Sequence, residues 1–196
     1  MNIKIILTII ATIIGIVAFF PYIRDIVQLK TKPHAYTWLI WAITQTTAVV
    51  GILHGGGGLG SLNLMVGTLF VIFIFLFSLK YGSRNITKGD TIILVAAFCA
   101  VLFWWQLDRP ILAVIMVSII DVLGYVPSLR KSYQEPWSET LVSWMLFSLS
   151  NVFAILALSE YNLLTVTYLI AITLANLSIF LLCFLRRSFV AKPNPV

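Results

Sequence analysis

Residues 19–43 read FFPYIRDIVQLKTKPHAYTWLIWAI, an apolar stretch that is interrupted by charged residues and two prolines. The interruption occurs a second time in residues 124–144, GYVPSLRKSYQEPWSETLVSW. Each copy has a proline with an arginine three residues later, a short charged loop, and then proline, threonine and tryptophan at intervals of four. The matched pairs are Pro21 and Pro127, Arg24 and Arg130, Pro33 and Pro136, Thr37 and Thr140, and Trp41 and Trp144. Matches in the same order predict an internal duplication.

The composition is that of a chain embedded in a membrane. Of the 196 residues, 60% are apolar and 10% are charged, whereas soluble domains have about 25% charged residues. A backbone in lipid must satisfy its own hydrogen bonds, so apolar stretches of bilayer-spanning length predict transmembrane helices. We count seven: Ile5–Tyr22, Tyr36–Ile52, Leu59–Leu79, Thr91–Leu107, Ile111–Leu129, Leu141–Leu158 and Leu163–Leu185. The predicted fold class is an all-α membrane protein.

The distribution of lysine and arginine predicts the orientation. With seven helices, the side that holds the N-terminus carries only Lys4 and Arg109. The opposite side carries Arg24, Lys30, Lys32, Lys80, Arg84, Lys88, Arg130, Lys131, Arg186, Arg187 and Lys192. Positive charge stays cytoplasmic, so we expect an inner or plasma membrane protein with its N-terminus outside. The net charge of +6 is then a topology signal beside the lipid bilayer, and no nucleic-acid partner is expected.

The duplication also predicts the architecture. Residues 1–82 form a first triple-helix bundle, residues 83–109 contain a linker helix, and residues 110–196 form a second triple-helix bundle with a short cytoplasmic tail. One linker helix restores the direction of the chain, so both bundles point the same way, as in transporters built from parallel repeats. We therefore expect a 3+1+3 parallel repeat.

At this point the chain resembles the SWEET, SemiSWEET and PQ-loop transporter superfamily, as a divergent bacterial-type member. Pro21, Lys30 and Lys32 fit the family pattern P-x8-K-x-K, and the resemblance in plan covers nearly the whole chain. It implies a small-solute transporter that works by alternating access between two triple-helix bundles. The glutamine of the family's PQ motif is replaced by Tyr22 in the first copy and Ser128 in the second. The plant-type sugar transporters also carry a proline inside helices 2 and 6, where this chain has about Ile40 and Ser143, and their pocket tryptophans fall later along the helices. A sugar site is therefore not carried over residue by residue.

Polar and aromatic side chains share faces of the predicted helices. Trp41 and Gln45 lie one turn apart, as do Trp144 and Ser148. Amides beside flat aromatic surfaces suit an uncharged polar solute, although the same groups also serve interhelical packing and hydrogen bonding. The predicted substrate pathway consists of Trp41, Gln45, Trp144, Ser148, Asn151 and Asn176. We expect the two tryptophans to face each other, one from each bundle.

Two prolines raise the question of a gate. Pro21 with Arg24, and Pro127 with Arg130, lie near the inner ends of equivalent helices. Because proline lacks the helical hydrogen-bond donor, these positions either form hinges of a gate or simply end the helices. Pro33 and Pro136, in contrast, are expected in the first turns of helices 2 and 6, where proline is favoured.

Asp121 stands alone in the middle of the fifth apolar stretch. An aspartate at the centre of a transmembrane helix costs about 2.5–3.5 kcal/mol on insertion scales, so it needs a partner or a purpose. Its repeat equivalent, six residues before the matching proline, is Gly15. Three interpretations are open: a proton-coupling site, a solute acceptor, or a structural residue bonded to nearby hydroxyls and amides.

Other chemistry is sparse. The histidines His34 and His54 lie in opposite loops, so we expect no metal site, and no nucleophile–base motif indicates an enzyme or a catalytic residue. No cofactor is expected. The predicted function is a membrane transporter for a small polar solute such as a sugar, amino acid or vitamin. The alternative is a receptor, sensor or complex subunit on the same scaffold, and the oligomeric state, a homo-oligomer included, stays open.

Overall fold

The computed structural model describes residues 3–82, 86–107 and 110–192. Within these ranges the protein is all-helical, with seven α-helices and no strand. The helices are α1 (Ile3–Val27), α2 (Ala35–His54), α3 (Leu62–Tyr81), α4 (Lys88–Leu107), α5 (Pro110–Gln134), α6 (Leu141–Ala157) and α7 (Leu163–Arg186). Two short 3-10 helices, Gly58–Ser61 and Pro136–Ser138, precede α3 and α6. The predicted all-α class is confirmed.

Membrane-spanning length is shown for five of the seven helices. Among the described residues, α1, α2, α3 with its preceding 3-10 turn, α5 and α7 are long and apolar enough to cross a membrane. The helix α6 is apolar but has 17 residues. In the most apolar part of α2, 61% of the residues are buried, against 28% in α1. Helix α2 is therefore central, whereas α1 turns most of its apolar surface outward.

The order of packing places α3 between α1 and α2, and α7 between α5 and α6. Helix α1 packs along α6, and α2 packs along α5. Helix α4 contacts α5 and α2. We call the end of this assembly with the loop between α1 and α2 the inner end, and the opposite end the outer end.

The prolines do not act as helix ends. Pro21 lies inside α1, which continues to Val27, and Pro127 lies inside α5, which continues to Gln134. The interpretation that these prolines terminate the helices is therefore wrong. A proline inside a helix removes only its own N–H donor, so the peptide groups that follow Pro21 and Pro127 can keep their helical hydrogen bonds and both helices continue.

The other two prolines also differ from expectation. Helix α2 begins after His34, whose side chain accepts a hydrogen bond from the Thr37 backbone N–H, so Pro33 precedes the cap. Pro136 begins the 3-10 helix and not α6, which follows Thr140. The expectation that both prolines lie in the first turns of α2 and α6 is wrong, because the His34 cap starts α2 after Pro33 and the 3-10 turn Pro136–Ser138 separates Pro136 from α6.

Candidate functional site

A cavity lies at mid-depth between the first three helices and the last three. The empty space amounts to about 530 Å³, counting the part that is continuous with solvent. Five of the six residues predicted for the substrate pathway line it. The lining is Gly15, Phe19, Trp38, Trp41, Gln45, Asn63, Leu64, Gly67, Val71, Tyr125, Trp144, Phe147, Ser150, Asn151, Ile172 and Asn176. None of these side chains carries a charge, so the cavity suits an uncharged molecule.

Two tryptophans meet at the inner end of the cavity. The rings of Trp41 and Trp144 lie edge to face, with centroids 6.2 Å apart, which confirms that they face each other. The Trp41 indole N–H donates to the Asp121 backbone oxygen at 3.4 Å, and the Trp144 indole N–H donates to Glu139 Oε2 at 3.0 Å. Both polar atoms are thus bonded to groups outside the lining. The rings offer the cavity aromatic surface.

Amide side chains supply the polar part of the lining. Asn63 accepts a hydrogen bond from Ser150 Oγ at 2.9 Å and donates to Asn151 Oδ1 at 3.4 Å. Asn176 Oδ1 accepts from the Tyr125 hydroxyl at 2.7 Å. These bonds fix the amide orientations and leave Asn151 Nδ2 and Asn176 Nδ2 without partners among the described residues. The cavity therefore presents hydrogen-bond donors of fixed direction.

Ser148 is the exception among the predicted pathway residues. Its hydroxyl donates to the Trp144 backbone oxygen within α6, and it does not line the cavity. The sequence analysis missed Phe19 and Tyr125 as lining residues. A signal was available, because each lies two residues before the matched proline of its copy. The contact of Ser150 with Asn63 had no such signal, since it depends on how α6 docks against α3.

Hydrogen bonds close the inner end between the two groups of helices. Thr140 Oγ1 donates to Asp25 Oδ2 at 2.8 Å and lies 3.1 Å from Thr31 Oγ1. Lys131 Nζ donates to the Lys32 backbone oxygen at 3.2 Å. Each contact joins a residue from the α1–α2 region to one from the α5–α6 region. The inner end therefore has a small number of polar contacts between the two groups of helices, beside the packing of α1 against α6 and of α2 against α5.

Glu139 connects the cavity to this inner closure. One oxygen of its buried carboxylate accepts from Trp144, and the other lies 2.7 Å from Lys131 Nζ. The Arg187 guanidinium donates to the Glu139 backbone oxygen at 2.7 Å. Burial lowers the pKa of Arg187, which stays charged at neutral pH because its ordinary value is far higher.

The arginines that were predicted as gate residues do not make the inner closure. The Arg24 side chain is 64% exposed and pairs with its chain neighbour Asp25 at 3.1 Å. Arg130 is exposed. The groups that bridge the inner end are instead threonine hydroxyls, the Asp25 carboxylate and the lysine next to Arg130. Pro21 and Pro127 stay hinge candidates, because each lies inside its helix.

A second set of contacts closes the outer end. Lys4 Nζ donates to the backbone oxygens of Leu158 at 2.6 Å and Ser159 at 3.0 Å. Asn162 Nδ2 donates to the Gly55 backbone oxygen at 2.8 Å. At Gly60 an added Cβ would lie 2.8 Å from Leu158 Cα, so this glycine permits the close approach of the α2–α3 loop to the end of α6.

Asp121 lies outside the lining of the cavity. It is completely buried halfway along α5, where the hydroxyls of Thr44 and Tyr168 contact its Oδ1. Tyr125, one turn along α5, separates it from the cavity side of Asn176. A solute in the cavity therefore meets Trp41 and Tyr125 and not the carboxyl itself.

No family model, curated protein or solved structure matches the chain. Within the described part of the chain, no three histidine, cysteine or acidic side chains form a group that could hold a metal ion. Cys99 and Cys183 are both free thiols. What the site can do must therefore be argued from its aromatic rings, amides and closures.

Proposed function

We propose that this protein is a membrane transporter for a small, uncharged, polar solute. The transport proceeds by alternating access between two triple-helix bundles, α1–α3 and α5–α7, with α4 as the linker. The observation that carries the proposal is the cavity itself, which lies between the two bundles, with polar contacts joining the bundles at each end. A carrier needs a binding site that each side reaches in turn, and a site at a bundle interface near mid-depth meets that need.

The packing order supports the 3+1+3 repeat. A two-fold relation that exchanges α1 with α5, α2 with α6 and α3 with α7 converts the α1–α6 contact into the α5–α2 contact. It also converts the position of α3 between α1 and α2 into that of α7 between α5 and α6. These relations fit a duplicated unit, and with the repeated proline, threonine and tryptophan they favour membership in the SWEET, SemiSWEET and PQ-loop superfamily.

Opening either end requires a set of polar contacts to break. Each set is a few hydrogen bonds between bundles, one such bond contributing about 0.5–1.5 kcal/mol, and at the inner end Tyr22 and Trp41 also pack against Trp144. At the inner end Thr140–Asp25 and Lys131–Lys32 must separate, whereas at the outer end Lys4 must leave Leu158. Opening one end leaves the contacts of the other intact. Alternating access requires that one end stays closed while the other opens, so that the cavity is never open to both sides at once.

The lining defines the class of solute. Two amide nitrogens, on Asn151 and Asn176, offer donors to carbonyl, hydroxyl or ring-nitrogen acceptors. Trp41 and Trp144 offer surfaces for stacking against a flat or ring-shaped molecule. A charged solute would find no countercharge in the lining. We therefore expect a neutral ring compound that carries several acceptors.

The proposal is tested by ligand binding followed by transport. Purified protein is screened by thermal unfolding against neutral sugars, amino acids and vitamins. A true ligand at about 100 times its Kd adds about 2.7 kcal/mol of stability. The hit is then measured by counterflow in proteoliposomes, and binding without counterflow would favour a receptor.

Matched variants locate the site. Asn176→Ala should lose the stabilisation, because the substitution removes a donor from the lining. Ser178→Ala, on the exposed side of the same helix, should keep it. Equal ligand responses in both variants would place the binding site elsewhere.

A further inference from the structure

The Asp121 carboxyl has one bonded oxygen and one bare oxygen. Thr44 Oγ1 and Tyr168 Oη both contact Oδ1, the latter at 2.8 Å. Oδ2 is buried and has no hydrogen-bond partner among the described residues. Because an isolated charge is strongly disfavoured away from water, this environment fits a carboxyl that carries a proton.

Among the described residues, no basic side chain faces Asp121. The facing titratable groups are the phenols of Tyr168 on α7 and Tyr125 on α5. Thr44 and Trp41 face it from α2 and are not titratable in this range. The basic residues of the helices packed around it lie at their ends: His54 on α2, Lys88 on α4, Arg130 and Lys131 on α5, and Arg186 on α7.

Both protonation states fit without moving a heavy atom. When Asp121 is ionised, Thr44 and Tyr168 donate their hydrogens to Oδ1. When it is neutral, its proton is donated to Thr44 Oγ1, and Thr44 turns its own hydrogen to the Ile40 backbone oxygen, 3.0 Å away. Hydroxyl hydrogens rotate to suit their partners. The site can therefore exchange a proton without repacking.

The contact between Thr44 and Asp121 also joins the two bundles. Thr44 belongs to α2 and Asp121 to α5, and the bond from the Trp41 indole to the Asp121 backbone oxygen crosses the same interface. A separation of α2 from α5 breaks both contacts and admits water to the carboxyl. Water stabilises the ionised form, whereas the closed interface favours the neutral form.

We propose that Asp121 is a proton-binding site that couples the transport cycle to protons, loaded when the bundles are closed around it and released to water when they separate. This inference rests on the proposed transport function. The direction of the pH dependence follows from the burial of the carboxyl in the closed arrangement. Low pH favours the closed arrangement, and rising pH increases the population in which α2 and α5 are apart.

The proton is tested directly by infrared difference spectroscopy of the full chain in liposomes, without any solute. The wild type should lose the signal of a protonated carboxyl as pH rises, and Asp121→Asn should lack that signal. Asp90→Asn is the matched control, since Asp90 is also buried but accepts from the Thr87 backbone N–H at 2.8 Å. A signal that persists in Asp121→Asn would overturn the assignment.

The coupling is tested by the distance between the bundles. Spin labels at Gln28→Cys and Gln134→Cys, both exposed near the inner end, report opening in a background without Cys99 and Cys183. A second pair at His54→Cys and Glu160→Cys reports the outer end. In the wild type, the longer distances at one end should become more populated as pH rises. Asp121→Asn should keep the short distances at every pH.

A second variant guards against misfolding of Asp121→Asn. Thr44→Val keeps the carboxyl and its burial but removes a donor to the ionised form. The infrared signal should therefore persist to higher pH than in the wild type, and the pH dependence of the distances should shift upward with it. Unchanged pH dependence in both variants would overturn the coupling. Failure of the transport proposal is distinguishable, because it would appear as absent counterflow with the infrared and distance responses intact.

Discussion

Gly15 and Asp121 occupy matching places in α1 and α5, each six residues before the proline inside its helix. Around Gly15 the neighbours are neutral, and an added Cβ would lie 2.7 Å from Asn63 Oδ1 and 2.9 Å from Ser150 Oγ. Around Asp121 the corresponding space holds a carboxyl in contact with Thr44 and with a phenol on α7. One position thus supports two different chemistries.

The difference indicates a division of labour between the two regions. Asn63 and Ser150, beside Gly15, line the cavity, whereas Asp121 lies outside the lining. We infer that the Gly15 region contributes to solute recognition and that the Asp121 region responds to protons. The proposed duplication would give both regions similar helix packing, and side-chain divergence would then give them separate tasks.

The strongest test of the comparison places an aspartate, as at position 121, at the matching position Gly15. Gly15→Asp should destabilise the protein by more than about 3 kcal/mol, because it adds the clash of a Cβ and an uncompensated buried carboxylate. Gly15→Ala isolates the clash and should cost about 1–3 kcal/mol. Thermal unfolding in detergent measures both.

The control for these substitutions is Gly67→Ala. Gly67 also lines the cavity, but an added Cβ there meets no atom within 4 Å, so its unfolding should match the wild type. If Gly15→Asp were as stable as Gly67→Ala, the two regions would be interchangeable and the proposed division would be wrong.

The two cavity tryptophans should differ in how much their indole hydrogen bonds contribute to the stability of the protein. Trp144→Phe leaves Glu139 Oε2 without its donor, and a hydrogen bond to a charged group contributes about 1.5–3 kcal/mol. Trp41→Phe removes only a 3.4 Å bond to a backbone oxygen, worth about 0.5–1.5 kcal/mol at most. Chemical unfolding of the two variants should therefore rank Trp144→Phe as the less stable. The reverse order would show that Glu139 does not depend on Trp144.

A smaller effect separates Ser150 from Ser148. Ser150→Ala should cost about 0.5–1.5 kcal/mol, because Asn63 Oδ1 and the Ala11 backbone oxygen lose their donor. The loss should be the same at every pH, since no group in this region titrates. Ser148→Ala removes a bond within one helix and should leave ligand affinity unchanged. A change of affinity in Ser148→Ala would restore Ser148 to the solute site.

The sequence predicted what depends on local pattern. Apolar runs gave all seven helices, and the repeated motif paired Trp41 with Trp144. The sequence left open whether α1 continues beyond Pro21, because a proline can either end a helix or be tolerated inside it, and the local pattern does not decide between the two. Contacts such as Asn63 with Asn151 arise only when separate helices dock. The spacing of residues along the chain does not predict which side chains meet when helices pack together.

Single cysteines for labelling should have the smallest effect on stability, and they test the orientation of the protein in the membrane. Glu160→Cys at the outer end should react with an impermeant thiol reagent in intact cells, and Gln134→Cys at the inner end should react only after permeabilisation. Both positions are exposed, so each label reports its side without disturbing the core. Gly57 is a poor label site, because it is buried and an added Cβ would lie 2.4 Å from Ile52 Cγ2.

The predicted orientation rests on eleven lysine and arginine residues on one side of the predicted topology against two on the other, as counted from the sequence. Such a bias predicts that the side with eleven is cytoplasmic. The labelling uses protein in which Cys99 and Cys183 have been replaced. The labelling result also bears on the comparison of Gly15 with Asp121. Both lie between the same two closures, and labelling shows which compartment each closure faces. If Gln134→Cys labels in intact cells and Glu160→Cys does not, the protein is inverted. The Thr140–Asp25 closure would then face outward, and any proton released through it would leave to the opposite compartment.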